Sequence, residues 1–268
     1  MDISTLYKCF TECSGVTTDS RNCPEGSMFI ALKGETFNGN AFAAQALEKG
    51  CRYAVVDEEQ YAGENPHILL VDNCLRTLQE LANFHRRTLD TRIIGITGTN
   101  GKTTTTSLLG EIMKAYQPEV KVVGNIGTPY TSAALDTTDD TVTVAEISSF
   151  QLETIKEFHP AASAITNITE DHLNRHHTME EYIRVKECIT ENQTMDDLCV
   201  LNYEDEILRP FGEKLMAEKK VQVMYFSSLR ALKDGIYYQD GEIRIAKNGE
   251  TELLTRTAVS YTHLRAHE

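Results

Sequence analysis

Apolar positions fall into short blocks whose spacing switches between the two-residue period of strands and the 3.6-residue period of helices. Met28 to Leu32, Tyr53 to Asp57 and His67 to Val71 read as strands, and Ala41 to Lys49 reads as a helix stopped at Gly50. Cys74 to Leu89 places Leu75, Leu78, Leu81, Ala82 and His85 on one face, which predicts an amphipathic helix. Ile93 to Ile96 is an apolar run of buried-strand type. Ser107 to Ala115 follows with helical spacing at Leu108, Leu109, Ile112 and Met113. Val120 to Val123, Thr141 to Ile147, Ala161 to Ile168, Cys199 to Asn202 and Val221 to Phe226 continue as strands, with a helix over Thr178 to Gln193. A β-meander over residues 229–257 turns at Asp240-Gly241.

Strands alternating with helices predict an α/β protein whose sheet is mostly parallel. The pattern divides into a small α/β unit over residues 1–90 and a larger one over 91–257, joined only by Thr88-Leu89-Asp90-Thr91. The tail, residues 258–268, continues neither pattern and is expected to be poorly ordered.

The net charge of -14 argues against a nucleic-acid partner, which needs a basic face. It leaves an anionic small substrate open, because loops and metal ions override the mean field locally. No apolar run is long enough to span a bilayer, and MDISTLYKCF is not a signal peptide, so no membrane association and a cytoplasmic location are expected. The seven cysteines form no C-x-x-C pair. Cys9 and Cys13 are four apart without a second pair to complete a zinc site. All seven are expected to be reduced and mostly buried.

One stretch carries specific chemistry. A strand, the loop Gly98-Thr99-Asn100-Gly101, then Lys102-Thr103-Thr104 opening a helix is the layout of a phosphate-binding loop. Loop amides and the positive helix end face a polyphosphate, Lys102 reaches the β/γ-phosphates, and the Thr103 hydroxyl sits on bridging Mg²⁺. The usual first glycine is replaced by Ile96, with Gly98 inside the loop instead. The plainer alternative is a tight strand-to-helix turn with an incidental lysine.

Asn125, Glu146 and His172 also fall just beyond strand ends, where open parallel sheets bind ligands. Glu146 either completes a Mg²⁺ shell with Thr103 or is a capping carboxylate. His172, in Glu170-Asp171-His172, is either a metal or phosphate contact or a capped loop histidine. Asn125, Ser148 and Ser149 offer neutral hydrogen bonds near phosphate, though capping accounts for the serines equally well. Spacing alone makes Lys186 no more than a surface lysine. His176-His177 reads as solvent-exposed, and Glu204-Asp205-Glu206 as a solvated face.

Together, Gly98-Thr99-Asn100-Gly101-Lys102-Thr103, Gly124-Asn125-Ile126-Gly127, the run from Glu146 to Glu153 and the run from Asn167 to Leu173 resemble the Mur ligase family. Those enzymes use ATP to add amino acids to UDP-N-acetylmuramic acid in peptidoglycan synthesis. The resemblance covers residues 91 to about 245 and is nearest to the D-glutamate-adding branch, which acts on UDP-N-acetylmuramoyl-L-alanine through an acyl phosphate. It implies ATP held by residues 98–104, with catalytic roles for Lys102, His172 and Lys186. It implies a pair of Mg²⁺ ions on Thr103, Glu146, His172 and a carbamylated Lys186. It also implies substrate contacts from Ser20, Asn125, Ser148 and His172, a UDP-N-acetylmuramoyl partner with an amino acid or dipeptide, and a monomer.

Thr18-Asp19-Ser20-Arg21, Phe29 to Glu35 and Phe37-Asn38-Gly39 are instead similar to the N-terminal UDP-binding domain of the branch that adds D-alanyl-D-alanine to the tripeptide. The two resemblances meet at Ile96 to Thr105, the pattern of a recombinant or fragmentary chain. The family's C-terminal domain and its late His-Asn-x-x-Asn motif have no counterpart here, so the chain alone is expected to turn over little. A ligase of the other branch and a non-catalytic nucleotide-binding module are the alternative expectations.

Overall fold

The computed structural model describes residues 1–89 and 91–256. The predicted tail from residue 258, and Asp90 of the linker, lie outside the described residues. The described residues form two compact units: residues 1–91 with 128–141, and residues 92–127 with 142–256.

In the first unit, strands β1 (Val16–Thr17), β2 (Met28–Ile30), β3 (Tyr53–Val56) and β4 (Ile68–Leu70) pair in that order, all parallel. Helices α1 (Ile3–Thr11), α2 (Ala43–Glu48) and α3 (Cys74–Thr88) belong to the same unit. The sequence pattern missed α1, a nine-residue helix N-capped by Asp2, whose buried residues Leu6 and Phe10 are only two. On α3, Leu78, Leu81, Ala82 and His85 are buried as expected, whereas Leu75 is 54% exposed. Its position one residue past Cys74 turns it away from the core.

Residues 128–141, which include α5 (Tyr130–Ala134), pack with the first unit, although they interrupt the second in sequence. Ala134 and Leu135 join its apolar core. His85 Nε2–H donates to Thr137 O at 3.0 Å, since a carbonyl can only accept, and His85 Nδ1 meets Tyr7 OH at 3.0 Å.

In the second unit the described strands form one sheet, ordered β13-β12-β11-β10-β9-β8-β5-β7-β6. They are β5 (Arg92–Thr97), β6 (Glu119–Gly124), β7 (Thr141–Glu146), β8 (Ala162–Ile165), β9 (Leu198–Asn202), β10 (Gln222–Ser227), β11 (Gly235–Gln239), β12 (Glu242–Lys247) and β13 (Glu250–Arg256). β7, β5, β8, β9, β10 and β11 pair in parallel, and β11, β12 and β13 pair antiparallel as the meander. The mixed α/β class with mostly parallel sheets is therefore borne out.

Helices α4 (Lys102–Met113), α6 (Ser149–Leu152), α7 (Leu173–His176), α8 (Met179–Glu187) and α9 (Leu208–Ala217) complete the unit. The apolar spacing of α4 misidentified its inner face. Leu108 is 59% exposed and Ile112 is exposed, while Thr106 and Gly110 are buried. Gly110 lies against Val122 of β6, so the helix approaches through small residues, with Leu109 and Met113 half-buried and Leu108 and Ile112 turned outward. The predicted helix over 178–193 ends earlier, at Glu187, followed by a 3₁₀ turn. Among the described residues no helix is long and apolar enough to cross a membrane.

Candidate active site

β5, β7 and β8 run parallel, so their carboxyl ends lie together at one edge of the sheet. The loop 98–101, Glu146 and the loop 166–172 issue from those ends. Backbone and side-chain contacts lock the first and last together. Thr99 N–H donates to Asn167 O (2.9 Å) and Asn100 N–H to Asn167 Oδ1 (2.8 Å). Asn167 Nδ2 returns a bond to Asn100 O at 3.1 Å, and Thr166 Oγ1 donates to the same carbonyl at 2.7 Å.

α4 starts at Lys102 behind Gly101, whose φ of +78° is left-handed. No side chain caps this end. The first N–H groups of a helix have no intrahelical acceptor, so they and the positive helix end are open to an anion. Lys102 Nζ lies over the loop, donating to Gly98 O (2.9 Å) and Thr99 O (2.8 Å). Lys102, Thr103, Thr104, Gly98, Thr99, Asn100 and Gly101 thus form one loop-and-helix-start, as the spacing requires.

Glu146 ends β7 and is 1% exposed. Its carboxylate is held on both oxygens: Thr103 Oγ1 donates to Oε2 (2.9 Å) and Asn125 Nδ2 to Oε1 (3.0 Å). Asn125 N–H also donates to Glu146 O at 2.9 Å. Gly124 makes this approach feasible. Its φ is +100°, and a Cβ there would overlap Glu146 O. A carboxylate and a hydroxyl meeting at one point are hard oxygen donors of the kind Mg²⁺ takes, so Glu146 and Thr103 fit that ion.

Lys186 is not the surface lysine that spacing suggested. It is 2% exposed on α8, its Nζ donates to Gly98 O at 2.7 Å, and it lies 4.9 Å from the Tyr182 ring centroid. Burial and then the nearby Lys102 charge push its pKa down to about 7, against the pull of Asp171. Two lysines therefore converge on one loop carbonyl. Tyr182 OH in turn meets Thr99 Oγ1 at 3.2 Å.

His172 stands apart from that group. It is exposed, in a left-handed conformation (φ 53°), with its ring 5.0 Å from Phe150 and its Nε2 3.4 Å from Asp171 Oδ2. Among the described residues no hydrogen bond joins it to Glu146 or Lys186, and no cluster of three or more His, Cys, Asp or Glu that would hold a metal forms. Ser148 is the N-cap of α6: its Oγ accepts from Gln151 N–H, and Gln151 Oε1 accepts from Ser148 N–H at 2.9 Å. The capping alternative therefore accounts for its position. Ser20 belongs to the first unit, buried, with its carbonyl accepting from Lys49 Nζ at 2.6 Å.

Three further expectations are corrected. His176 is buried at 3%, not exposed with His177. Its Nε2 meets Ser149 Oγ at 3.0 Å and its Nδ1 meets Glu153 Oε1 at 3.2 Å. Burial lowers its pKa despite Glu153. Adjacent histidines on a short helix face different ways, which spacing cannot assign. Asp205 is no solvated acid: it accepts from Ile168 N–H at 2.8 Å and from Ile207 and Leu208 N–H at the start of α9. The seven cysteines are free, but only Cys51, Cys74 and Cys199 are buried.

Residues 96–260 match the family model described as the Mur ligase middle domain, and residues 12–86 match that of the Mur ligase family catalytic domain. The chain is 55% identical over 161 residues to the UDP-N-acetylmuramoylalanine--D-glutamate ligase of Lachnoclostridium phytofermentans, covering 60% of this chain and 34% of that protein. It is 59% identical over 152 residues to the enzyme of the same name from Lachnospira eligens, covering 57% and 33%. The chain thus spans about a third of the length of these curated relatives. Its fold is similar to that of a MurF ligase from Thermotoga maritima crystallised with ADP (TM-score 0.65, 21% identity, 92% of this chain and 59% of that one). It is also similar to a MurF from Acinetobacter baumannii (TM-score 0.68, 21% identity, 97% and 61%).

Proposed function

Because this chain belongs to the Mur ligase family, we propose that it carries the ATP-binding part of a ligase that joins D-glutamate to UDP-N-acetylmuramoyl-L-alanine. The arrangement that carries the reading is Glu146. A buried carboxylate is held by Thr103 and Asn125 at the sheet edge, beside a loop gathered by Lys102 and Lys186.

The reaction brings a substrate carboxylate to the γ-phosphate of ATP, two anions that repel. Lys102 and the open N–H groups of α4 would hold the phosphates and reduce that repulsion. Thr103 and Glu146 would hold Mg²⁺, which supplies further charge neutralisation. Asn125, exposed beside Glu146, would orient the substrate carboxylate, with Ser148 and His172 nearby in sequence to the same strand ends. The acyl phosphate formed with ADP is then attacked by the amine of D-glutamate, and phosphate leaves.

Lys186 would carry a carbamate. Its lowered pKa favours the neutral amine, which is the form that attacks CO₂. The neutral nitrogen bonds to the carbon of CO₂ as one C=O π pair moves onto oxygen, one proton leaves the nitrogen for solvent, and a buried amine becomes an oxygen-bearing anion suited to a second Mg²⁺. Carbon-13 NMR of the chain in ¹³C-bicarbonate tests this: a carbamate resonance present in wild type and absent in Lys186→Ala is the expected result.

Ser20 and the Thr18 to Arg21 turn of the first unit would contact the UDP moiety. The motifs there favour a second reading, the D-alanyl-D-alanine-adding branch, whose ligand is a UDP-muramoyl-tripeptide. Competition between UDP-muramoyl-L-alanine and the tripeptide for the chain separates the two. Calorimetric titration with Mg-ATP tests the core of the proposal. Lys102→Ala should weaken binding at least about tenfold, the scale of one charge-assisted contact. Equal indifference of both folded proteins to nucleotide would overturn it.

A further inference from the structure

His172 begins a one-turn helix, α7, bracketed by two non-glycine residues with positive φ: His172 at 53° and His177 at 69°. Left-handed β-substituted residues are unfavourable and persist only where their surroundings over-determine them. What pins this turn is α6, immediately after Glu146. Arg175 pairs with Glu153 Oε2 at 2.6 Å, but from the surface. His176 is the buried anchor. Its Nε2 hydrogen-bonds to Ser149 Oγ at 3.0 Å, and its Nδ1 lies 3.2 Å from the Glu153 carboxylate. Both ring nitrogens are committed, and both partners lie on the α6 segment.

The ring faces complete the connection. Phe150 lies between the two histidines, with centroids 5.7 Å from His176 at 22° and 5.0 Å from His172 at 52°. On its other side His176 meets Tyr182 at 5.2 Å, the residue that carries Lys186 over its face and bonds Thr99. We propose that His176 is a positioning residue: through Ser149, Glu153 and the Phe150 ring it sets the direction in which His172 is presented. A reaction role for His172 rests on the ligase reading above; the dependence of its placement on His176 does not.

The test uses the 268-residue chain with labelled histidine, followed by heteronuclear NMR without nucleotide, alongside Mg-ATP titration. His176→Phe keeps an aromatic ring against Phe150 and Tyr182 and removes the hydrogen bond to Ser149 and the polar contact with Glu153. His176→Gln restores a donor and an acceptor. The expected result is that the His172 ring resonances move by more than their linewidth in His176→Phe and return towards wild type in His176→Gln. Mg-ATP affinity should stay within threefold in both. If His176→Phe does not fold, Ser149→Ala removes one partner of the same ring and should displace both His176 and His172 signals. His172 resonances superimposable on wild type in a folded His176→Phe, or in Ser149→Ala, overturn the proposal. A chain that ignores Mg-ATP but shows the coupled shifts overturns the ligase reading and leaves this one standing.

Discussion

Thr103 Oγ1 donates to Glu146 Oε2 at 2.9 Å across 43 residues of sequence. The hydroxyl at the helix start and the carboxylate at the strand end are therefore held together by the protein's own hydrogen bond. Preorganised oxygens cost little reorganisation when a cation binds. Glu146→Gln preserves shape and removes the charge. It should weaken Mg-ATP binding about 10–100-fold, while metal-free nucleotide binding changes little. Calorimetry with and without Mg²⁺ checks this, and an unaltered Mg²⁺ requirement would count against Glu146 as the metal-facing group.

Gly124 and Gly127 flank Asn125 and offer a contrast. Both have positive φ, but a Cβ on Gly124 would overlap Glu146 O, whereas nothing lies within 4 Å of one on Gly127. Strain at a left-handed or extended-positive position is worth about 1–3 kcal/mol. Overlap adds about 1–3 kcal/mol more where backbone must shift. Gly124→Ala should therefore lose more stability than Gly127→Ala in urea unfolding, and should displace the Glu146 strand end.

Lys186 predicts a stability profile on the alkaline side. Its pKa falls from 10.5 in the unfolded chain to about 7 in the folded one. Between those values the unfolded state binds more protons, so stability rises with pH. The penalty is full below about pH 7 and is relieved as pH climbs to about 10.5. Lys186→Met should flatten this rise. Urea midpoints between pH 7 and 9.5, in buffer purged of CO₂, make the comparison.

In the first unit, Asp57 collects one network. Lys33 Nζ pairs with it at 2.8 Å, Asn40 Nδ2 donates at 2.9 Å, and Cys74 N–H at the start of α3 donates at 3.1 Å. Burial alone would raise its pKa, but these three partners outweigh burial and hold it below the usual carboxylate range. The stabilisation is therefore present above about pH 4 and is lost as pH falls through the folded value. Asp57→Asn should cost about 2–3 kcal/mol at pH 7 and progressively less towards pH 3, read by urea unfolding at each pH.

Much of the candidate site was legible because it is written in adjacent residues. A strand, a two-glycine loop and Lys-Thr in succession leave few geometries, and the loop 98–104 takes the expected one. Glu146 and Asn125 were legible for another reason. Parallel strands bring their carboxyl ends to one edge, so residues just past each strand converge whatever lies between them. Lys186 and His176 were not legible. Each sits on a helix whose polar positions look alike, and which of them faces inward depends on a distant partner: Gly98, 88 residues from Lys186, and Ser149, 27 residues from His176.

The sequence by itself determined the α/β class and the strand–loop–helix geometry of residues 98–104, because periodicity and local spacing are properties of consecutive residues. Tertiary structure decided which of two adjacent histidines is buried and which face of α4 is inner. It also decided that residues 128–141 pack with the first unit, and that burial lowers the basicity of a lysine at position 186. Those outcomes turn on which surfaces meet, and burial, unlike periodicity, is set by residues far away along the chain.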